Sequence, residues 1–385
     1  MIQSGARVER PLDFRIKSGN DTEKAELAMT LDWLETTRSG EVQTAGAVRP
    51  KVVIANWVHG EVIDRLSADH SVTANQTKEP LERSELQRRC ADADALIAFM
   101  TEEIDDDFLA GCPGLRIVAC ALKGYDNFDV EACSRRGVWL TIVPDLLTAP
   151  TAELTIGMMI ALARNIGPGS AAVRGGAFAG WRPRFYGRSL DGSTVGLIGA
   201  GAVGKAIARR LTGFRANLLY FDRERLTPDQ EDELRLQRVA LSELQARSDF
   251  IVLALPLAQD SLHLVDRAFL AQTKPGSFLI NPARGSLVDE AAVADALEAG
   301  TLAGYAADTF EMEDWARCDR PDAIDPRLLK SDKAVLTPHL GSAVDSIRLE
   351  IALEAAESVI QCLQGARPKG AINAPAGVFE KQPAC

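Results

Sequence analysis

The sequence lacks the features that mark a membrane-spanning, secreted or zinc-binding protein. No uninterrupted apolar run approaches the roughly 18 residues needed to cross a bilayer, and the first residues lack the apolar core of a signal peptide. The seven cysteines include no CxxC pair and only four histidines are present, so neither a disulfide framework nor a zinc site is expected. We therefore expect a cytoplasmic protein with reduced thiols and no metal.

The sequence also has fewer basic than acidic residues. The 43 lysines and arginines stand against 54 aspartates and glutamates, which gives a net charge of −11. This balance disfavours binding to nucleic acid or to an anionic membrane, because both need net positive charge. The chain of 385 residues, 46% hydrophobic and 25% charged, has an ordinary globular composition and a length typical of two or three domains.

A glycine-rich loop is the first specific signal. Gly199-Ala200-Gly201-Ala202-Val203-Gly204 follows a strand-like run and opens a helix predicted over 202–211. The first glycine permits a tight turn, the second lets a pyrophosphate approach the backbone, and the third lets the helix pack closely on the strand. The helix N-terminus then faces the anion.

Asp222 ends the next strand-like run, where its carboxylate can accept hydrogen bonds from both ribose hydroxyls and repel a 2′-phosphate. This placement predicts NAD as the cofactor. Arg223 and Arg225 follow at once. Either they hold a 2′-phosphate, which would permit weaker use of NADP, or they point into solvent.

Alternating apolar runs and helical segments extend along most of the chain, which is typical of parallel sheets with crossover helices. We predict an α/β fold of two Rossmann-like, doubly wound parallel-sheet domains. The substrate domain is expected to be discontinuous, over 51–149 and the returning segment 338–375, and the NAD-binding domain to cover 150–337. Residues 1–49, with mixed charges and no strand-like runs, are predicted to form a poorly ordered N-terminal extension, and 376–385 a flexible tail.

Three segments carry candidate catalytic side chains: Arg284 in Asn281–Gly285, Glu313 in Asp308–Glu313, and His339 in Thr337–Ser342. An Arg, a Glu and a His in this order after such a glycine loop resemble the NAD-dependent D-isomer-specific 2-hydroxyacid dehydrogenase family, over about 51–368. The resemblance implies that Arg284 binds the substrate and that Glu313 orients His339, the general base. From the residues alone, a strand-end cap for Arg284, a solvated acidic turn for Glu313 and a structural role for His339 stay open.

Within that family, Ala121–Asp129, Phe310–Arg317 and His339–Val344 resemble the phosphite (phosphonate) dehydrogenases. This resemblance implies substrate contacts at Lys123, Gly124, Met100, Arg284, His339 and Arg348. Phosphite is largely a dianion at neutral pH, so a second cation beside Arg284 suits it better than it suits a monocarboxylate. A surface lysine at position 123 and a core methionine at position 100 are the alternatives.

The main hypothesis is therefore oxidation of phosphite to phosphate, with hydride transfer to NAD and water as the nucleophile. The alternatives are a D-2-hydroxyacid dehydrogenase (2-ketoacid reductase) and, less favoured, a non-enzymatic NAD-binding protein resembling corepressors of this fold. The resemblance further implies a homodimer formed through 154–162, with Trp181 and Tyr186 at the interface. The remaining histidines, His59, His70 and His263, are assigned no function. The cofactor contacts that it implies are Gly199, Gly201, Ala202, Val203, Gly204, Asp222, Arg223, Pro256, Pro282, Ala283, Arg284, Asp308, His339 and Ser342.

Overall fold

The computed structural model describes residues 49–375, so the tail 376–385 and all but the last residue of the N-terminal extension lie outside the described part. Two sheets are present in that part, with strand orders β2-β1-β3-β4-β5 and β12-β11-β10-β9-β6-β7-β8, and every strand pair in them is parallel. The strands are β1 Lys51–Ile54, β2 Ser71–Ala74, β3 Ala95–Ala98, β4 Ile117–Cys120, β5 Trp139–Thr141, β6 Thr194–Ile198, β7 Asn217–Phe221, β8 Leu236–Arg238, β9 Phe250–Leu253, β10 Ser277–Asn281, β11 Leu302–Ala307 and β12 Ala334–Leu336.

The central strands are buried along their whole length, which explains why they read as continuous apolar runs. Every residue of β3, β4, β9 and β10 is buried, as expected when helices cover both faces of a parallel sheet. The helices are α1 Gly60–Ser67, α2 Arg83–Cys90, α3 Asp106–Ala110, α4 Val130–Arg135, α5 Thr148–Ala163, α6 Ile166–Arg174, α7 Ala202–Leu211, α8 Pro228–Leu234, α9 Leu241–Arg247, α10 Arg267–Gln272, α11 Glu290–Ala299, α12 Pro326–Leu329 and α13 Asp345–Leu363.

The C-terminal segment returns to the first sheet. Helix α13 packs against α1, β3 and β4, and the Arg116 guanidinium donates to the carbonyl oxygen of Cys362 at 3.0 Å. Beyond the helix, the side chain of Asn373 accepts from the Leu140 N–H at 2.8 Å and donates to the Val138 carbonyl at 2.9 Å, so it pairs with the backbone at the edge strand β5. The predicted fold class is confirmed, whereas the domain limits 51–149, 150–337 and 338–375 stay predictions.

In both sheets, strands end at the segments that carry the candidate site residues. Arg284 follows β10, Glu313 follows β11 and His339 follows β12, while Lys123 and Gly124 follow β4 of the first sheet. The carboxyl ends of strands are where open α/β sheets place their ligands. None of the helices in residues 49–375 is both long enough and apolar enough to cross a membrane.

Leu96 offers a test of the first core, because it lies in the middle of β3 with no exposed surface. We expect Leu96→Ala to lower the free energy of unfolding by about 2–5 kcal/mol, since the substitution leaves a cavity in a close-packed interior. Urea unfolding followed by circular dichroism measures the change. Leu329→Ala, at a side chain that is 60% exposed, serves as the control and should stay within about 0.5 kcal/mol of the unchanged protein. A loss below about 1 kcal/mol at position 96 would contradict this description of the core.

Candidate active site

The glycine-rich loop forms a turn that leaves space for an anion. Gly199 directly follows β6 with φ of +100°, in the region that glycine adopts most readily, and a Cβ atom there would overlap the Ala254 carbonyl. Gly201 precedes α7, and a Cβ atom at Gly201 would meet nothing within 4 Å. The first turn of α7, with Ala202 and Val203, therefore presents its N–H groups to open space, as phosphate binding requires.

Asp222 lies one residue beyond β7 and is tied to this loop. Its Oδ2 accepts from the Ala200 N–H at 2.7 Å, and its Oδ1 accepts from the Glu224 N–H at 3.2 Å. These bonds hold the carboxylate beside the turn that begins at Gly199, where the ribose of a bound dinucleotide is expected.

His339 and Glu313 form a hydrogen-bonded pair. Nδ1 of His339 lies 2.7 Å from Oε2 of Glu313, and the other carboxylate oxygen of Glu313 accepts from the Phe310 N–H at 2.9 Å. Each of the two side chains is 29% exposed. With Nδ1 held by a carboxylate, Nε2 of His339 remains for exchanging a proton with a reactant. This geometry does not match the solvated acidic turn considered for Glu313.

The backbone at His339 is strained, and Asp308 holds it. His339 has φ of +54°, an uncommon conformation for a residue with a side chain. The buried Asp308 carboxylate accepts from the Leu340 N–H at 2.7 Å and from the Gly341 N–H at 2.8 Å. Burial raises the pKa of Asp308, while the hydrogen bond from the Thr337 hydroxyl opposes that rise. Strain of this kind persists where the surroundings fix it, and it concentrates at active sites.

Arg284 makes the contact between the two sheets. Its Nε donates to Oδ2 of Asp126 at 2.9 Å, and its Nη1 donates to the Ala283 carbonyl at 2.8 Å. A Cβ atom on Gly124 would overlap Nη2 of Arg284, so glycine is what allows this close approach. Burial opposes the charged guanidinium, but Asp126, with Asp314 and Glu313 near it, raises the pKa of Arg284.

Arg348 lies next to the loop that carries Lys123. Its Nη1 lies 3.4 Å from the Ala121 carbonyl and 3.4 Å from the Ser342 hydroxyl, and its guanidinium carbon is 5.7 Å from the centre of the Phe99 ring. Burial lowers the pKa of Arg348. Neither Arg348 nor Lys123 forms an ion pair with any carboxylate in the part of the chain that the structure describes.

Comparisons with known proteins agree with this arrangement. Residues 156–341 match the model of the D-isomer specific 2-hydroxyacid dehydrogenase NAD binding domain. The chain is 35% identical to the glyoxylate reductase of Pyrococcus furiosus and 36% identical to that of Pyrococcus horikoshii, in each case over 85% of this chain and 96% of the relative. A solved structure, the TT0316 protein of Thermus thermophilus, superimposes with a TM-score of 0.76 at 32% identity, over 84% of this chain and 99% of that one.

The chain belongs to the D-isomer-specific 2-hydroxyacid dehydrogenase family. It is an NAD-dependent oxidoreductase, and the open space at Gly201 beside the N-terminus of α7 suits the pyrophosphate of NAD. The assignment of individual side chains to the cofactor stays a prediction, including Pro256, Pro282, Ala283 and Ser342.

The arginines near Asp222 differ in which groups already bind their guanidinium groups. Arg225 is held by Glu231 through two hydrogen bonds of 3.0 Å, whereas Arg223 pairs with Asp260 at 3.2 Å on the surface. Arg238, at the end of β8, donates to the backbone carbonyls of Asp222 and Arg223 at 3.0 and 3.4 Å. Arg238 was missed in the sequence, because only the pairing of β8 with β7 brings it to this edge.

Asp126 was overlooked as well. It lies in the loop that carries Lys123, but Arg284 is 158 residues away along the chain. The available signal was a carboxylate three positions after Lys123, in a loop expected to face the substrate.

The position of Arg238 beside Asp222 predicts an effect on the preference of this dehydrogenase between NAD and NADP. Arg238→Gln should raise the KM for NADP about 10-fold, the equivalent of one charge-assisted hydrogen bond, and raise the KM for NAD by a smaller factor, because Arg238 also holds the backbone carbonyl of Asp222. Initial rates at varied cofactor concentration measure both constants. The control is Arg225→Gln, because Glu231 already holds that guanidinium. Equal effects of Arg238→Gln on the two cofactors would contradict a contact with the 2′-phosphate.

Proposed function

We propose that this dehydrogenase oxidises phosphite to phosphate, with NAD as the hydride acceptor. The observation that carries the proposal is the pair Lys123 and Arg348, two cations that have no counter-ion within residues 49–375. Lys123 lies in the loop where Gly124 touches Arg284, and Arg348 lies beside that loop. Asp126 already offsets part of the charge of Arg284. An anion bound here therefore meets more positive charge than a single carboxylate needs, and a dianion such as phosphite suits it better.

The three cations have different chemical capacities. Arg284 has Nη2 turned toward Gly124, while Nε and Nη1 are used by Asp126 and Ala283, so the guanidinium is fixed before a substrate binds. Lys123 adds a compact charge on a flexible stem. Arg348, which is partly buried and has no carboxylate partner within residues 49–375, would gain most from a bound anion. In this proposal they fix the orientation of the P–H bond, and positioning supplies much of the acceleration.

Proton transfer is assigned to His339. Its Nε2 takes a proton from the attacking water, while Glu313 at Nδ1 fixes the tautomer and stabilises the imidazolium that forms. The nicotinamide, when bound, accepts the hydride from phosphorus. The balance is phosphite, NAD⁺ and water in, and phosphate, NADH and one proton out. The P–H bond breaks, and a P–O bond forms.

A second candidate is a D-2-hydroxyacid dehydrogenase working as a 2-ketoacid reductase. The names of the relatives favour it, since those at 35% and 36% identity are glyoxylate reductases. In that reaction Arg284 would bind the substrate carboxylate, and His339 would donate a proton to the keto oxygen. The third hypothesis, an NAD-binding protein without activity, does not agree with the membership of this chain in a family of dehydrogenases.

The substrate is decided by initial rates with NAD and phosphite, and with NADH and glyoxylate or pyruvate. We expect phosphite-dependent formation of NADH, and turnover of an organic acid alone would reject the main proposal. Lys123→Ala should raise the KM for phosphite about 10-fold or more, and the KM for NAD less than about 2-fold, because a charge-assisted contact to the dianion is lost. Lys78→Ala, at an exposed lysine, is the matched control and should change neither constant.

We also propose a homodimer. The segment that follows α6 exposes large aromatic side chains, with Trp181 76% and Tyr186 75% exposed and Phe178 62% exposed. A contiguous group of this kind is typical of an interaction surface. Sedimentation should give about twice the mass of one chain, and Trp181→Ser combined with Tyr186→Ser should weaken the association. A monomer at micromolar concentration would overturn the proposal.

A further inference from the structure

A cluster of hydrogen-bonded polar side chains joins the loops that carry Arg284 and Glu313. At its centre is Glu311, which is 7% exposed. Its Oε2 lies 2.7 Å from Nε2 of His263 and accepts from Nη1 of Arg317 at 3.1 Å. Its Oε1 accepts from the Glu290 N–H at 3.2 Å. The carboxylate therefore has partners on both oxygens, as a buried charge requires.

The same arginine reaches the neighbouring loop. Nη1 of Arg317 donates to the Ser286 hydroxyl at 2.7 Å, and the Ser286 N–H donates to Oδ2 of Asp314 at 2.8 Å. The Ser286 carbonyl accepts from the His263 N–H at 2.8 Å. Side chain and backbone of Ser286 are thus bonded to three members of the cluster.

The two loops joined in this way carry the proposed catalytic side chains. Arg284 stands two residues before Ser286, and Glu313 stands two residues after Glu311 in the same turn of 3₁₀ helix, Glu311–Glu313. The loops also touch directly, because a Cβ atom on Gly285 would overlap the backbone of Phe310. A shift of the cluster therefore moves Arg284 relative to Glu313.

We propose that Arg317 and Glu311 are positioning residues that hold Arg284 and the Glu313–His339 pair in their working arrangement. The proposal rests on the proposed roles of Arg284, Glu313 and His339, but not on the identity of the substrate. The cluster bonds to the backbones and side chains of the two loops, and its hydrogen bonds do not include Nε2 of His339 or the free face of Arg284. It contributes geometry and no chemical step.

Arg317 has two carboxylate partners, and they allow a matched comparison. Glu311 is the buried one, and Asp319, at 3.2 Å from Nε, is 72% exposed. Removing the charge of Glu311 deprives Arg317, whose side chain is 15% exposed, of its buried partner, whereas the exposed pair with Asp319 contributes little. Glu311→Gln and Asp319→Asn change the same kind of group on the same arginine, so the difference between them reports on position.

The experiment measures kcat, the KM for substrate and the Kd for NAD, with phosphite or with glyoxylate, whichever the enzyme turns over. Arg317→Gln and Glu311→Gln should each lower kcat about 10- to 100-fold, because small displacements of catalytic groups cost rates of this size. The Kd for NAD should stay within about 2-fold, since the glycine loop is untouched. Arg317→Lys should restore part of kcat, and Asp319→Asn should leave kcat unchanged.

Three results would overturn the proposal: an unchanged kcat in Arg317→Gln, an equal loss in Asp319→Asn and Glu311→Gln, or a fall in kcat that matches a fall in the number of NAD-binding sites. The last would show that the cluster serves folding alone. If Glu311→Gln does not fold, His263→Gln replaces it, with an expected fall in kcat of about 3- to 10-fold and an unchanged kcat counting against the proposal. Arg284→Gln distinguishes a failure of this proposal from a failure of the proposed catalytic site. Full activity of the Arg284→Gln variant would reject the role of Arg284 in that site.

Discussion

The ion pair between Arg284 and Asp126 is the interaction on which the catalytic arrangement depends. It joins a loop after β10 to a loop after β4, so it connects the carboxyl ends of two separate parallel sheets. The pair is possible because Gly124 lacks a side chain where the guanidinium passes. Since the pair is only about a fifth exposed, it is screened much less than a surface ion pair. The chain thereby fixes a cation at the junction of its two sheets before any substrate arrives.

Much of the fold could be predicted because buried parallel strands have a strong signature. The central strands β3, β4, β6, β9 and β10 are four or five residues long and almost wholly buried, so their sequences are continuous apolar runs. The strands β2, β5 and β8 lack this signature. Each lies toward the edge of its sheet, β5 and β8 have only three residues, and β2 and β8 alternate little between buried and exposed positions. Such segments carry too few residues for periodicity to separate them from loops.

The candidate site also has one part that the sequence indicates and another part that it does not. The sequence indicates Arg284, Glu313 and His339 as candidates because each follows a strand and their order along the chain is typical of the family, and their catalytic roles stay a prediction. The contacts that hold them could not. Asp126, His263 and Arg317 are ordinary polar residues in loops, and their partners are 158, 48 and 31 residues away. No local pattern specifies such distances, since they follow from how the strands are ordered in the sheets.

The charge around Arg348 bears on which substrate the crevice suits. A guanidinium stays charged at neutral pH even where burial lowers its pKa, so the loss of water around it must be offset by another interaction. Its contacts to the Ala121 carbonyl and the Ser342 hydroxyl are both 3.4 Å, longer than a good hydrogen bond, and the Phe99 ring offers only a weak cation–π attraction.

Arg284, in contrast, already has Asp126 as a partner. In the proposed reaction, an anion bound at these strand ends therefore gains most from Arg348 and Lys123, which have no carboxylate partner within residues 49–375. A monocarboxylate brings one negative charge to share among Arg284, Arg348 and Lys123, whereas a phosphorus oxyanion brings two charges over three oxygens, one for each cation. This difference in charge and in the number of oxygens is the physical basis of the proposal that the substrate is phosphite rather than an organic acid.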